Sequence, residues 1–260
     1  MAKLLEGGCR VTDMREGTPV TAGTFRSWYQ IGKATGAHAI SLRLNEFGPG
    51  LSPGLRNAEC DEVLYLLENL DGSEISGACT VFIDGSSYEI FPQTGIYIRP
   101  GQIFVVNNPG SQVALFVSSQ CPDPMSPVQI VAPLVARTGN VDEVGSPPIV
   151  CLADRKAVST ADRWYRVLVD EEIGSTQVTQ FIGSIPPGRA PDHFHNYEEV
   201  LFILRGQGRM WAGNTSTPIL TGSCIYLPKG QIHCVESTGV DELRLLGVFY
   251  PAGSPAVRYE

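Results

Sequence analysis

Three of the four histidines in this 260-residue sequence, His193, His195 and His233, are the residues best placed to do chemistry, together with Glu199. On an extended strand, alternate side chains face the same side, so His193 and His195 are expected to project together. A turn before Glu199 would bring its carboxylate beside them, and His233 would close the cluster from a distant strand. Three imidazoles and a carboxylate suit one divalent transition metal: Mn, Fe, Ni, Co or Zn.

Such a site would be open to a small molecule. Four protein ligands leave one or two positions free on a six-coordinate metal, whereas a structural site is closed. With one carboxylate among its ligands, a divalent ion keeps a positive charge and attracts an anionic or chelating substrate such as a β-diketone, a keto acid or a catechol-like pair. The metal can then polarise a carbonyl, stabilise an enolate or bind O₂ beside the substrate.

Five residues on or near the same strands are predicted to line the substrate pocket. Alternation places Leu201 on the face of Glu199 and turns Phe202 away from it. The histidine outside the cluster, His38, is interpreted as structural. The predicted pocket residues are Arg189, Tyr197, Leu201, Trp211 and Tyr226.

Composition excludes several classes of protein. The chain has 19 Lys+Arg against 27 Asp+Glu, a net charge of −8, which disfavours nucleic acid and anionic membranes as partners. Charged residues at 18% and hydrophobic ones at 43% exclude a disordered chain. The seven cysteines form no CxxC pair, and the first residues lack the apolar core of a secretory signal, so a cytoplasmic location is expected.

Short apolar runs separated by turn residues predict an all-β protein, since the chain contains 28 Gly and 19 Pro. Asp84-Gly85 and Ala212-Gly213-Asn214 predict hairpin turns, and a short helix is expected within residues 153–164. The predicted strands are Ala39–Leu44, Val63–Leu67, Thr80–Ile83, Gly95–Ile98, Val113–Val117, Gln177–Ile182, Val200–Leu204, Ser223–Leu227 and Leu243–Phe249.

An internal repeat divides the chain. The run Asp61–Leu67 matches Glu198–Leu204, and Ile96–Ile103 matches Ile225–Ile232 in the same order. Repeated patterns of this kind indicate two copies of one structural unit. We therefore predict an N-terminal domain over residues 1–125, a linker over 126–165 and a C-terminal domain over 166–260.

The C-terminal pattern strongly resembles the two motifs of the cupin superfamily. In the first motif, four residues separate Gly188 from His193, where five are usual. In the second motif, Ser237 stands in place of the usual Asn. The resemblance implies two tandem jelly-roll β-barrels, of which the second holds the metal. The matching residues are Gly188, His193, His195, Glu199 and Gly206, then Gly222, Pro228, Gly230 and His233.

The repeat predicts that the first barrel has lost the metal. When the repeat is used to align the two halves, His193 and His195 correspond to Arg56 and Ala58, and His233 corresponds to Phe104. Glu199 corresponds to Glu62, so the carboxylate is the one metal ligand that the first half keeps. The chain is thus expected to be a bicupin with a degenerate N-terminal cupin. Cupin barrels often pair through edge strands, so a homo-oligomer, such as a dimer, is expected.

Three kinds of function follow from the resemblance. The first is an oxidoreductase, a dioxygenase similar to the quercetinase and β-diketone-cleaving cupins, with Glu199 also acting as a base. The second is a non-oxidative metal-dependent lyase, isomerase, decarboxylase or hydrolase. Ureidoglycine aminohydrolases are bicupins of this kind, but their metal ligands are arranged differently from those of this sequence. Oxalate decarboxylase relatives keep metal motifs in both halves, whereas this sequence keeps them in one. The third is a non-catalytic ligand-binding or storage cupin.

Overall fold

The computed structural model describes residues 1–68, 78–124, 128–136, 147–160 and 163–256, and strands dominate them. The strands of the first half, with those that follow to residue 151, are β1 (Lys3–Leu4), β2 (Arg10–Asp13), β3 (Val20–Ala22), β4 (Phe25–Ile31), β5 (Leu42–Phe47), β6 (Gly50–Leu51), β7 (Gly54–Arg56), β8 (Asp61–Leu66), β9 (Cys79–Ile83), β10 (Ser86–Ile90), β11 (Thr94–Ile98), β12 (Ile103–Asn108), β13 (Ala114–Cys121), β14 (Gln129–Val131) and β15 (Ile149–Cys151).

The second half continues the same architecture. Short 3₁₀ turns occur in both halves, at Glu6–Gly8, Lys33–Thr35, Leu152–Asp154 and Glu171–Ile173. Within the described ranges, none of the helical segments is long and apolar enough to cross a membrane. The strands are β16 (Val158–Thr160), β17 (Arg163–Val169), β18 (Thr179–Ile185), β19 (Gly188–Arg189), β20 (Glu198–Arg205), β21 (Gln207–Ala212), β22 (Thr215–Leu220), β23 (Ser223–Leu227), β24 (His233–Ser237) and β25 (Leu243–Tyr250).

Two sheets form each barrel. The N-terminal barrel packs the sheet β15-β11-β8-β13-β5-β4-β3 on the sheet β10-β9-β12-β7-β14. Between them, Phe47 meets Phe104 and Phe116 edge to face, with ring centroids 6.2 and 5.2 Å apart. Such pairs add to the free energy gained by burying the rings.

The C-terminal barrel packs the sheet β1-β2-β23-β20-β25-β18-β17-β16 on the sheet β19-β24-β21-β22. Leu201 and Ile203 face its interior, as alternation predicts, and Phe202 faces away from it. The predicted strand Ser223–Leu227 is found at the same residues, and the other predicted strands are found with ends shifted by a few residues.

Both predicted hairpin turns are confirmed. Ile83 pairs with Ser86, so Asp84 and Gly85 form a two-residue loop with φ of 48° and 79°. The pairing of Ala212 with Thr215 closes the second hairpin in the same way. Positive φ at both loop positions belongs to the hairpin turn that matches the twist of the strands, and Asp and Gly tolerate it.

The connection between the halves differs from the sequence prediction. The helix expected within residues 153–164 is wrong: the described residues there form the 3₁₀ turn Leu152–Asp154, then β16 and the start of β17. Pairing also crosses the expected limits of the domains, because β2 pairs with β23, whereas β14 and β15 pair with β7 and β11. Each exchanged strand covers a sheet edge that would otherwise expose unpaired backbone groups.

The outer faces of the two large sheets pack on each other. Leu44, Tyr65 and Val117 from the first barrel share one buried cluster with Phe202 and Val248 from the second. The strands of these sheets are therefore buried on both faces, which explains their nearly unbroken apolar sequences.

A carboxylate of the second barrel joins the two barrels at the edge of this interface. Glu198 accepts hydrogen bonds from the backbone N–H groups of His38 and Ala39, at 2.8 and 2.6 Å, and from the hydroxyl of Tyr226. Its counterpart Asp61 accepts one from the hydroxyl of Tyr97 at 2.7 Å. The exposed His38 therefore takes part in the interface through its backbone.

Substituting Glu198→Gln should lower the free energy of unfolding by about 1–3 kcal/mol, because an amide offers one acceptor where the carboxylate serves three buried donors. Urea denaturation would measure the change. Glu236→Gln, on the outer face of β24, is the matched control and should cost less. Equal stability of the Glu198→Gln variant and the wild type would contradict this role for Glu198.

Candidate metal centre

Backbone hydrogen bonds bring the distant histidines together. His193 lies between β19 and β20, and His233 opens β24. The N–H of each residue donates to the carbonyl of the other, at 3.0 and 2.8 Å, so the two form an isolated antiparallel bridge. His195 follows on the same extended segment, and Glu199 is the second residue of β20 beside it.

The ligand atoms of the three histidines all lie within 4.8 Å of one another. Glu199 is not part of that set, but its Oε2 lies 3.5 Å from Nε2 of His195 and 3.7 Å from Nε2 of His233. The four side chains predicted from the sequence therefore converge in one place, at separations that a single ion could span with small adjustments.

Backbone carbonyls orient two of the imidazoles. Nδ1 of His193 lies 3.1 Å from the carbonyl of Pro191, and Nδ1 of His233 lies 2.8 Å from that of Gln231. A proton on Nδ1 leaves Nε2 as the donor atom for a metal, as is usual for metal-bound histidines. The ring of His195 is held instead by stacking on Tyr197, with centroids 4.9 Å apart and planes 10° apart.

Burial favours the uncharged form of each group. It raises the pKa of Glu199 to about 8 and lowers the pKa values of His195 and His233 to about 4 and 3. The imidazoles are therefore neutral near pH 7, the form that binds metals. A buried carboxyl group of this kind is best stabilised by a cation, so these residues fit a divalent metal ion.

A cavity of about 100 Å³ leads to these side chains. Phe181 and Phe249 stack against each other on one wall, with ring centroids 4.8 Å apart. Arg163 and Ser184 add polar groups. The cavity is lined by Thr160, Arg163, Trp164, Tyr165, Phe181, Gly183, Ser184, Ile185, Ala190, His193, His195, Glu199, Leu201, His233, Val235, Leu245, Phe249 and Pro255.

Of the five predicted pocket residues, Leu201 lines the cavity. The other four differ from the prediction. Tyr197 lies behind His195, with its hydroxyl bonded to the carbonyl of Ser254. Arg189 stacks on Trp211 with its guanidinium carbon 4.3 Å from the ring centroid, on the outer face of the small sheet. Tyr226 packs in the interface between the barrels. Alternation explains this, because Met210 and Ile225 take the inward positions beside Trp211 and Tyr226.

Phe181, Phe249 and Arg163 were missed in the sequence. The register explains two of them, since Phe249 pairs with Glu199 across β25 and β20, and Phe181 lies beside it through β18. Alternation along each strand could have marked them as inward-facing, but only knowledge of which strands are neighbours places them beside the metal ligands.

The corresponding place in the N-terminal barrel is occupied by a hydrogen-bond network. Phe104 pairs with Leu55 as His233 pairs with His193, so the counterparts of His193 and His195 are Leu55 and Asn57. The expected counterparts Arg56 and Ala58 are therefore wrong by one residue, because the loop before Glu62 is one residue longer than the loop before Glu199. Glu62 accepts hydrogen bonds from Asn57, Ser118 and Gln120.

A buried arginine completes that network. Arg43 donates to the side-chain oxygen of Gln120, and its guanidinium lies 3.4 Å from Asp123. Tyr29 donates to the same Asp123 at 2.6 Å. The position of Glu62 thus has fixed donors and a cation nearby in place of the imidazoles that face Glu199.

Two jelly-roll barrels in tandem, with a histidine cluster inside the second, form the fold of a bicupin. Residues 181–249 match the family described as "Cupin domain". Auxin-binding protein 1 of Arabidopsis thaliana is 30% identical over 83 residues, which is 28% of this chain and 42% of that relative.

Solved structures of oxalate decarboxylases share the whole fold. The S161A mutant of the Bacillus subtilis enzyme OxdC superposes with a TM-score of 0.75 and 13% identity, over 94% of this chain and 78% of that chain. The Lactobacillus farciminis oxalate decarboxylase formate complex gives 0.74 and 14%, over 94% and 87%. At this level of identity the similarity establishes the fold.

Proposed function

We propose that the protein is a metal-dependent enzyme acting on a small organic molecule that chelates the metal through oxygen. The observation that carries the proposal is the convergence of His193, His195, His233 and Glu199 at a small cavity with non-polar walls. Bicupin structures with Mn(II) centres, those of the Bacillus subtilis oxalate decarboxylase, support a divalent metal here.

The cavity limits the substrate. Its volume of about 100 Å³ is below the roughly 300–1,000 Å³ of pockets for drug-sized ligands, so a molecule of only a few heavy atoms would fit. Phe181, Phe249 and Leu245 suit a carbon body, and the oxygens of the substrate would lie towards the histidines. A charge-dense or extended polar substrate would lose hydration against these walls.

The leading reaction is oxidative cleavage by a dioxygenase, because a β-diketone or a similar enolisable compound combines two chelating oxygens with a non-polar body. When bound, the metal would supply Lewis-acid polarisation of the substrate and access to O₂. The chain itself would orient the substrate against Phe181 and Phe249 and exclude water. Glu199 lines the cavity and is the residue able to take a proton from the substrate.

Decarboxylation of a small carboxylate is the second candidate. Arg163 lines the same cavity, and its guanidinium could pair with a carboxylate. The structural neighbours named as oxalate decarboxylases support this reading. A non-catalytic binding role, a homo-oligomer and a cytoplasmic location remain predictions.

Gas exchange separates the two reactions. With metal-loaded protein and acetylacetone, we expect O₂ uptake that matches loss of the diketone; with oxalate or pyruvate, the decarboxylase reading expects CO₂ release without O₂ uptake. His195→Ala should abolish either activity, whereas His38→Ala should keep it. Bound metal without turnover of any chelating substrate would favour the non-catalytic reading.

A further inference from the structure

A second cavity, of about 350 Å³, opens between the two barrels. It lies on the opposite face of the large C-terminal sheet from the metal centre: Ile182 lines this cavity, whereas its neighbour Phe181 lines the other. Its volume falls within the range of small-ligand pockets. The lining residues are Tyr65, Leu67, Glu68, Gln93, Leu152, Ile182, Leu204, Arg205, Thr221 and Arg244.

Two arginines face each other at this cavity. A shift in register after Ile203 sets Arg205 directly opposite Arg244 on β25, and Leu204 and Arg205 both line the cavity. Like charges directly opposite each other on neighbouring strands repel. The pair is therefore a local source of positive charge in a protein whose net charge is −8.

The nearby acidic groups leave Arg205 without a salt bridge. Arg244 donates through Nε to Glu242 at 2.6 Å. Among the residues that the structure describes, the side chain of Arg205 has neither an ion pair nor a hydrogen bond. Glu68, an acidic residue lining the cavity, accepts a hydrogen bond from Gln93 and, within the same described ranges, pairs with neither arginine. The guanidinium groups thus offer donors that an anion could use.

One part of the remaining wall is non-polar, formed by Leu67, Leu152, Ile182 and Leu204 with the ring of Tyr65, and Gln93 and Thr221 add polar groups. Burial raises the pKa of Tyr65, so its hydroxyl stays protonated and can donate a hydrogen bond. The lining therefore combines two guanidinium groups with a separate non-polar surface against which the carbon atoms of a ligand could pack.

We propose that this interbarrel cavity binds a small organic anion, with a carboxylate at Arg205 and Arg244 and a non-polar body against Leu204, Ile182 and Tyr65. Because the lining comes from both barrels, the ligand would bridge them. The proposal is independent of the reaction at the metal centre.

Isothermal titration calorimetry on the full-length protein, stripped of metal with EDTA, tests this with 1-naphthoate as the probe. We expect one molecule bound per chain, and weaker binding of the uncharged 1-naphthalenemethanol. Arg205→Gln should weaken binding of 1-naphthoate at least about tenfold, because a charge-assisted hydrogen bond is lost. Arg209→Gln, in the small sheet of the same barrel, is the matched control and should bind as the wild type does.

A second variant keeps the test informative if charge removal alters the fold. Leu204→Trp would fill the cavity and should abolish binding of 1-naphthoate while the circular dichroism spectrum stays that of the wild type. The proposal is overturned if the wild type does not bind 1-naphthoate, or if Arg205→Gln and Leu204→Trp both bind it normally. Loss of binding in His233→Ala alone would also overturn it, since that result assigns the probe to the metal centre.

Discussion

The His233→Ala protein should bind its divalent metal more than about 100-fold more weakly than the wild type. Loss of a partner behind a metal ligand already costs roughly 10–100-fold in affinity, and His233 is itself one of the donors. Its Nδ1 is held by the carbonyl of Gln231, so the imidazole is oriented for binding before the metal arrives. Removing it discards both the donor and that preorganisation. Metal content of the purified protein, with chelator competition for the affinity, would measure the effect.

The chain offers a matched control for this experiment. His38 is exposed and contributes its backbone N–H to Glu198, so His38→Ala should keep the metal. The fold should survive in His233→Ala, because the backbone bridge to His193 does not involve the imidazole. A His233→Ala protein that keeps one tightly bound metal per chain would disprove the assignment of this ligand.

The metal centre was predictable because its signal is local. Alternation on a strand fixes His193 and His195 on one side, and the matching motif supplies Glu199 and His233 at recognisable spacings. Both hairpin turns were predictable for the same reason, since Asp84-Gly85 adopts a backbone conformation that few residues tolerate.

The remaining features depend on pairing between distant strands. The pairing of β2 with β23 leaves no mark within either segment, since an apolar strand pairs equally well with several partners. The same limit explains why Trp211 and Tyr226 do not line the cavity. Both lie close to the motifs in sequence, but a shift of one residue along a strand turns a side chain to the other face of the sheet. It also explains why Asn57 was not predicted, because one additional residue in the loop before Glu62 moved the true counterpart of His195.

The degenerate site leads to the second prediction. Substituting Arg43→Met should lower the free energy of unfolding by about 3–5 kcal/mol, because removing one partner of a buried ionic network leaves the others uncompensated. Arg43 is buried, and it joins Asp123 to Gln120, which in turn donates to Glu62. Methionine keeps much of the side-chain volume, so the loss would reflect charge and hydrogen bonding more than packing. Urea denaturation of protein stripped of metal would measure it.

Arg26→Met, at an exposed position on the adjacent strand β4, is the control and should cost less than about 0.5 kcal/mol. The double variant Arg43→Met/Glu62→Gln separates electrostatics from packing. If charge holds the network together, the loss of unfolding free energy in the double variant, which removes the charges of both Arg43 and Glu62, should be at least about 1 kcal/mol smaller than the sum of the losses in the two single variants. Strict additivity would mean that Glu62 is held by Asn57, Ser118 and Gln120 alone, and that Arg43 serves the Tyr29–Asp123 side of the barrel independently.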